Sequence, residues 1–231
     1  MIGYDRLGTN GRFGNQLFQY AALRGIASKH GYEWCIPPDS HDTYANYGMH
    51  HPFELVGLKS DNIGFVNENV SPQSMFSFQS LKETNPNTKN VTEGAYCFDE
   101  ELFNNFEDGT NLDGYLQTEK YFKHIADEVR EDFSFKDEIK NPCNEMMQAV
   151  EKPISLHIRR GDFLTNNANH NNLTLDYYAT ALSKFKNDRN VIIFSDDTEW
   201  CKQQELFSGN RFLVSESGNP YVDLCLMSMC S

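Results

Sequence analysis

The sequence contains no long apolar run, no closely spaced cysteine pair and no excess of basic residues. None of its 231 residues belongs to an apolar stretch long enough for a membrane-spanning helix, and the N-terminal segment has no signal-like apolar core. The six cysteines form no CxxC pair and have no histidine at a metal-ligand spacing, which argues against a zinc site. Without a secretion signal, reduced thiols and a cytoplasmic location are expected.

Acidic residues outnumber basic ones, with 33 Asp and Glu against 20 Lys and Arg and a formal charge of −13 at pH 7. Nucleic acids and anionic membranes bind basic surfaces, so the charge argues against both as partners. An anion site in this chain is therefore expected to be a local positive pocket. The length and the mixed composition predict a globular protein with one large domain or two small ones.

Residues 1–36 have the pattern of one βαβ element. A weak strand over 2–7 leads into a glycine-spaced turn and a helix with apolar residues at helical spacing, which Gly31 is placed to end. A second strand is predicted over 33–36. The polar segment 38–110 predicts no topology.

The rest of the chain alternates strands and helices. A helix is predicted over 118–135, a break at Pro142, and a short helix over 145–150. Further strands are predicted over 154–158, 191–194 and 211–214, and further helices over 175–185, over 199–206 and from Tyr221. This alternation predicts a doubly wound parallel sheet, and a boundary near 142–153 divides the chain into α/β lobes 1–150 and 151–231.

The segment from His157 to Asp162, with the sequence HIRRGD, carries the strongest functional signal. It follows the apolar run 154–156, which reads as a buried strand. Two guanidiniums at the end of such a strand need an anion, and phosphate fits best because the planar arginine fork matches its oxygens bidentately. Ligands of open α/β sheets bind outside the carboxyl ends of the strands, where Arg159 and Arg160 should lie.

Side chains alternate along a strand, so both arginines reach one ligand only if the chain turns between them, and Gly161 suits that turn. Asp162 would fix an arginine by a charged hydrogen bond or cap the next loop. Two other interpretations stay open: a surface salt bridge without function, and an Arg-Gly-Asp adhesion tripeptide. The buried strand directly before Arg159 favours phosphate binding over both.

Two further segments place polar side chains at the ends of predicted elements. Arg12 and Asn15 lie in the glycine turn before the first helix, where tight turning and the binding of an anion or sugar are equally plausible. Ser195, Asp196 and Asp197 follow the strand 191–194. Their oxygens could accept hydrogen bonds from ribose hydroxyls or a base, or Asp196 could cap the following helix.

Five blocks of the chain occur in a recognisable order: 11–21 (GRFGNQLFQYA), 114–122 (GYLQTEKYF), 157–162 (HIRRGD), 194–197 (FSDD) with Trp200, and 223–230 (DLCLMSMC). Together they resemble the α-1,2-fucosyltransferases of glycosyltransferase family 11, inverting enzymes that use GDP-fucose. The resemblance implies a GT-B-like fold of two Rossmann-type lobes with parallel sheets. The nucleotide would be held by lobe 151–231, with the acceptor on the side of lobe 1–150.

The resemblance also implies metal-independent transfer of fucose to a galactoside hydroxyl of a glycan, with arginines stabilising the diphosphate. The expected catalytic residues are Arg159, Arg160, Asn15, Arg12 and, as a weak candidate for the base, His157. The expected nucleotide-binding residues are Arg159, Arg160, Asp162, Ser195, Asp196 and Asp197. GDP-fucose and a glycan with terminal galactose are the expected partners.

The resemblance is incomplete at the C-terminus. Family members continue beyond the block 223–230 into a tryptophan-containing segment that helps line the nucleotide pocket, whereas this sequence ends at Ser231. We therefore expect an incomplete C-terminal lobe. This absence motivates one alternative to α-1,2-fucosyl transfer, a non-catalytic remnant that binds GDP-sugar. Because the arginine motif recurs among related enzymes, a fucosyltransferase of another linkage is a second alternative.

Overall fold

The computed structural model describes residues 1–9, 11–39, 48–66, 89–165 and 171–231. These residues divide into two compact units, Met1–Ser134 and Phe135–Ser231. The division lies earlier in the chain than the expected boundary after residue 150. Packing of the helix that follows Phe135 accounts for the difference, as described below.

The first unit contains a parallel sheet with the strand order β2-β1-β4-β3. Its strands are β1 (Ile2–Gly3), β2 (Trp34–Cys35), β3 (Lys89–Thr92) and β4 (Thr110–Asp113). Ile2 pairs with Trp34 and Gly3 with Cys35, and the helix α1 (Phe13–His30) connects these two strands. The βαβ element predicted for residues 1–36 is therefore present.

Helix α1 ends at Gly31, as predicted. Gly31 has a φ of 69°, and its N–H donates to the carbonyls of Ala27 and Ser28. Such a left-handed residue is the usual end of an α-helix, because glycine adopts it without strain. A second glycine of the helix, Gly25, has a different role, since a Cβ there would lie 2.0 Å from the carbonyl oxygen of Tyr121.

The helix predicted over 118–135 is wrong as a single element. After the short helix α2 (Glu100–Asn105), two 3-10 turns over Glu119–Tyr121 and Lys123–Ile125 precede the helix α3 (Ala126–Asp132). Phe122 interrupts the turns with φ −133° and ψ 9°. The Tyr121 carbonyl lies against α1 at Gly25. Because the backbone packs this closely on α1, the segment 118–135 does not form one regular helix.

A buried carboxylate links several segments of the first unit. Asp132 is 1% exposed and accepts hydrogen bonds from the Tyr20 hydroxyl at 2.9 Å and the Gly57 amide at 2.6 Å. It also forms an ion pair with Arg24, whose guanidinium lies over the rings of Tyr20 and Trp34. The charge is thus fully partnered, as a buried charge must be.

The second unit contains the predicted parallel sheet, whose strand order is β5-β6-β7. Its strands are β5 (Ile154–Ile158), β6 (Val191–Ser195) and β7 (Phe212–Val214). Its helices are α4 (Asp137–Gln148), α5 (Gly161–Thr165), α6 (Leu175–Leu182), α7 (Thr198–Lys202) and α8 (Pro220–Met229). The break predicted at Pro142 is wrong, because α4 continues through this proline. Both Pro142 and Glu138 are exposed, so water can satisfy the helix carbonyl that the proline leaves without an N–H donor.

Apolar side chains cover both faces of this sheet. On one face, Ile154, Ile158 and Ile193 pack with residues of α6 and α7, including Leu182 and Cys201. On the other, the β6 side chains pack against α4 and α8; this cluster comprises Cys143, Ile192, Phe194, Cys225 and Leu226. Because α4 contributes to this core, the second unit begins at Phe135 rather than after residue 150.

All six cysteines lie in the described residues, and none forms a disulfide. Within the same residues, no helix combines the length and apolar character that crossing a bilayer requires.

Candidate active site

The three strands of the second unit end side by side. Leu156 pairs with Ile193, and Ile193 pairs with Val214, so the segments that follow β5, β6 and β7 leave the sheet at one edge. Every residue predicted from the HIRRGD and Ser-Asp-Asp segments lies in these strand ends or directly after them. The parallel topology thus brings together two segments separated by more than thirty residues of sequence.

Arg160 is held between an aromatic ring and a carboxylate. Its guanidinium carbon lies 3.8 Å from the centre of the Trp200 ring, and its Nε donates to Asp197 Oδ2 at 3.0 Å. The side chain is 20% exposed. Stacking and pairing fix the guanidinium plane, and the NH1 and NH2 groups make no hydrogen bond to any other residue that the structure describes. These two groups are oriented to bind an anion.

Arg159 makes a bidentate pair within its own loop. Its Nε and NH2 donate to the two carboxylate oxygens of Asp162 at 3.0 and 2.7 Å, and its guanidinium lies 4.7 Å from the centre of the Phe163 ring. The sequence prediction that Asp162 fixes an arginine is therefore realised in the geometry. The Arg159 side chain is 34% exposed.

Gly161 differs from its predicted role. Its φ lies outside the left-handed region, and it begins the helix α5 instead of forming a glycine-dependent turn. Its lack of a side chain matters for another reason: a Cβ would lie 2.8 Å from Asp196 Oδ2. The other oxygen of Asp196 accepts the backbone N–H of Arg160 at 2.8 Å. Glycine thus lets Asp196 join the ends of β5 and β6.

Asp197, and not Asp196, caps the helix α7. Asp197 Oδ1 accepts the amide of Trp200 at 3.1 Å, while its own amide donates to Ser195 Oγ at 3.0 Å. The predicted cap at Asp196 is wrong by one residue, because the Asp196 carboxylate turns back to Arg160 N. In this structure both carboxylates and the Ser195 hydroxyl organise the arginine loop.

His157 lies on β5 with its imidazole exposed at the face opposite Ile158. Partial desolvation by the surrounding protein lowers the pKa of His157 below its usual 6.5, and the positive Arg159 acts in the same direction. The carboxylates of Asp196 and Asp223 oppose this shift but do not reverse it. The imidazole is therefore largely neutral at pH 7.

Asp223, at the start of α8, is a member of this edge that we did not single out from the sequence. Its Oδ1 accepts hydrogen bonds from Ser215 Oγ at 2.6 Å and from Ser217 Oγ at 2.8 Å. The polar run after β7, Ser-Glu-Ser-Gly, was the available signal, since polar residues after a parallel strand belong to the ligand-binding edge.

The expectation of a locally positive pocket is wrong for the described part of this edge. Two guanidiniums, Arg159 and Arg160, lie at this edge with four carboxylates, Asp162, Asp196, Asp197 and Asp223. Across the described residues, no group of three or more His, Cys, Asp or Glu side chains is arranged to hold a metal ion.

Arg12 and Asn15 belong to the first unit, at the start of α1. Arg12 precedes the helix with its side chain exposed, and Asn15 Oδ1 accepts the Arg12 N–H at 3.1 Å. Gly11, with φ 85°, makes room for this arrangement, since a Cβ there would lie 2.4 Å from the Asn15 side chain. Gly11 therefore allows the Asn15 side chain to bond the backbone at the start of α1. This hydrogen bond uses Asn15 Oδ1 and not Nδ2.

Comparison with known proteins places these features in a family. The profile of glycosyl transferase family 11 matches residues 100–231. An α-1,2-colitosyltransferase of Escherichia coli is 31% identical and covers 94% of this chain and 78% of its own length. Galactoside α-(1,2)-fucosyltransferase 1 of Rattus norvegicus is 23% identical over 96% of this chain, which spans only 57% of that relative.

Solved structures share the fold. The α-1,6-fucosyltransferase NodZ, co-crystallised with GDP, matches with a TM-score of 0.54 at 13% identity, covering 99% of this chain and 82% of its own. POFUT1 matches with a TM-score of 0.50 at 11% identity, covering 99% and 88%. The GT-B-like α/β fold with parallel sheets is thereby confirmed. By its profile match and its bacterial relative, the chain belongs to glycosyltransferase family 11.

Proposed function

We propose that this protein transfers fucose from GDP-fucose to a galactoside hydroxyl in α-1,2 linkage, with inversion at the transferred carbon. Family membership and the names of the relatives support a sugar transfer of this linkage. The observation that carries the proposal is the arginine pair at the end of β5, with Arg160 fixed between Trp200 and Asp197.

GDP is the leaving group in this reaction, so the step that needs help is the growth of negative charge on its diphosphate. The NH1 and NH2 groups of Arg160, together with the partly exposed guanidinium of Arg159, would bind that charge as it develops. Because both planes are already fixed by carboxylates and rings, little reorganisation accompanies the reaction. Because the two arginines would supply the positive charge that a metal ion would otherwise supply, we predict that the transfer needs no metal.

The remaining residues of the proposed site have supporting roles. Asp196, Asp197 and Ser195 hold the arginine loop and offer oxygens to the nucleoside, and Asp162 orients Arg159. By the family resemblance, Arg12 and Asn15 act near the reacting centre. The acceptor hydroxyl needs a base. His157, neutral at pH 7, is the candidate that the edge of the second sheet offers.

A second donor deserves a direct comparison because the bacterial relative is named as a colitosyltransferase. Colitose is fucose without its 3-hydroxyl group. A site that hydrogen-bonds the 3-hydroxyl rejects the deoxy sugar strongly, whereas a site that leaves it in water accepts both. GDP-fucose and GDP-colitose should therefore be supplied side by side.

The test is incubation of the chain with each GDP-sugar and a β-galactoside, followed by mass spectrometry and linkage analysis of the product. Arg160→Ala should abolish transfer, while the control Arg189→Ala, whose guanidinium bonds the carbonyls of Lys152 and Ser231, should retain it. Activity should persist in EDTA. Binding of GDP without transfer would favour a non-catalytic remnant, another linkage would favour the related enzymes, and the absence of GDP binding would exclude the proposal.

A further inference from the structure

The first unit has a cavity of its own at the carboxyl edge of its sheet. It has a volume of about 310 Å³ and lies where β3 and β4 end, between the segments 92–96 and 113–115. Ligand cavities span roughly 300–1,000 Å³, so this one suits a single small ring. Residues of the proposed nucleotide site do not contribute to its lining.

Two tyrosines form one wall of the cavity. The rings of Tyr96 and Tyr115 are 5.8 Å apart at an angle of 48°. Tyr96 is 90% exposed, far more than any other large hydrophobic side chain among the described residues, the next being Tyr177 at 53%. An aromatic ring held open to water in this way presents an apolar surface for a ligand.

The backbone that carries Tyr115 is in an unusual conformation. Leu116 has a φ of 53° although it is not a glycine, and it is fully buried. Gly114, on the other side of Tyr115, has a φ of 127°. The Glu93 carboxylate holds this turn by accepting the Leu116 amide at 3.0 Å and the Tyr121 hydroxyl at 3.1 Å. Strained backbone that is anchored in this way is typical of residues held for binding.

Two carboxylates, Asp113 and Glu93, line the cavity together with the hydroxyl-bearing residues Thr92, Tyr96 and Tyr115. Asp113 accepts hydrogen bonds from the Gly114 amide at 2.9 Å and from Arg6 at 3.3 Å. Carboxylates accept hydrogen bonds from hydroxyl groups and repel phosphates. The lining therefore suits an uncharged polyol and disfavours the diphosphate of a nucleotide sugar.

We propose that this cavity binds one galactopyranose ring of the acceptor, with the apolar face of the sugar on Tyr96 and Tyr115. The axial 4-hydroxyl of galactose leaves the C3, C4 and C5 hydrogens together on the opposite face, which matches an aromatic wall. Hydroxyl groups at the ring edge donate to Asp113 and Glu93. The inference rests on the proposed function, because it assigns the galactoside acceptor to this cavity.

Direct binding is measured by saturation-transfer difference NMR on the full chain with methyl β-galactoside. Tyr96→Ala should weaken binding about tenfold, and Tyr96→Phe, which keeps the ring, should retain it. Tyr115→Ala should weaken it similarly. The matched control is Tyr177→Ala, an exposed tyrosine of α6 in the second unit, which should bind as the native chain does. Methyl β-glucoside, with an equatorial 4-hydroxyl, should bind more weakly.

Kinetics separate this inference from the proposed function. Tyr96→Ala should raise KM for the galactoside about tenfold and leave GDP affinity unchanged. Native-like galactoside binding by both alanine variants, or no binding by the native chain, would overturn the inference even if transfer is observed. Galactoside binding that depends on Tyr96 in a chain that neither binds GDP nor transfers sugar would instead support the cavity and refute the transferase.

Discussion

Asp197 divides its carboxylate between two partners, with Oδ2 at 3.0 Å from Arg160 Nε and Oδ1 at 3.1 Å from the Trp200 amide. The orientation of the arginine is thereby coupled to the start of α7. The Arg160 guanidinium also stacks on the ring of Trp200, the residue whose amide Asp197 caps. A change at Asp197 consequently acts on both the helix and the guanidinium.

Asp197→Ala should lower the free energy of unfolding by about 1–2 kcal/mol, because it removes a helix cap and a partly exposed ion pair. Asp197→Asn should lose less, since asparagine caps helices as well as aspartate does. Urea denaturation measures both. Asp127→Ala, which removes a 96%-exposed carboxylate paired with Arg130, is the control and should change stability by less than about 0.5 kcal/mol. Equal losses for the Ala and Asn variants would contradict the capping role.

Gly161→Ala should weaken GDP binding about tenfold with little loss of stability. The added Cβ would lie 2.8 Å from Asp196 Oδ2, so the carboxylate must move away from the Arg160 amide and the arginine loop shifts. Calorimetric titration with GDP is the measurement. Gly209→Ala is the matched control in the same unit, because its Cβ meets its nearest atom at an ordinary 3.8 Å. Unchanged GDP affinity in Gly161→Ala would show that this contact does not position the loop.

Two glycines of α1 should respond oppositely to alanine. Gly25→Ala places a Cβ 2.0 Å from the Tyr121 carbonyl, and overpacking against backbone should cost at least about 3 kcal/mol. Gly14→Ala meets no atom within 4 Å and should stabilise the helix by up to about 1 kcal/mol. Thermal and urea unfolding compare them. A stable Gly25→Ala variant would mean that residues 121–122 do not pack directly on α1.

His157 should titrate below pH 6.5 in the folded chain, because desolvation and Arg159 lower its pKa. The unfolded chain then binds more protons between the folded pKa and 6.5, so the stability present above pH 6.5 is lost as the pH falls through this window. NMR of the imidazole Cε1 proton gives the midpoint directly. His157→Gln should flatten the pH dependence of unfolding in the same range. A titration midpoint above pH 6.5 would contradict a lowered pKa of His157.

Iodoacetamide should modify Cys97 first in the native protein, because it is the one exposed cysteine of the six. Burial raises the pKa of Cys35 and Cys225 to about 12, which keeps both as unreactive thiols at pH 8. Peptide mass spectrometry after timed labelling gives the order of reaction. Labelling of Cys225 as fast as Cys97 would be incompatible with its burial between α4 and α8.

The sequence predicted those helix ends and strands whose conformation depends on residues close in sequence. Gly31 ends α1 through its own left-handed conformation, and the apolar run of β6 is buried on both faces, whereas Ser155 and His157 of β5 are exposed. The meeting of the HIRRGD and Ser-Asp-Asp segments was also predictable, because consecutive parallel strands end at one edge of a sheet.

The remaining features depend on partners distant in sequence. The segment after Thr118 is not one helix because Tyr121 lies against Gly25, almost a hundred residues earlier. Strand β4 lacks the apolar pattern of a buried strand, because its buried residues include Asn111. Asn111 Oδ1 accepts the Asp5 N–H and Asn111 Nδ2 donates to Asn90 Oδ1, each at 2.9 Å. The pattern of apolar residues in the sequence therefore could not predict the cavity beside β3 and β4.

The carboxylates around the arginine pair also affect how fast a nucleotide sugar arrives. Four carboxylates and two guanidiniums give the described edge a net charge of −2, within a chain of charge −13. Within a Debye length of about 8 Å at physiological salt, an approaching diphosphate experiences the repulsion of this net charge, and the guanidiniums attract it only at close contact. Added salt should therefore accelerate the encounter of donor and protein, the opposite of its effect on phosphate-binding proteins with basic surfaces.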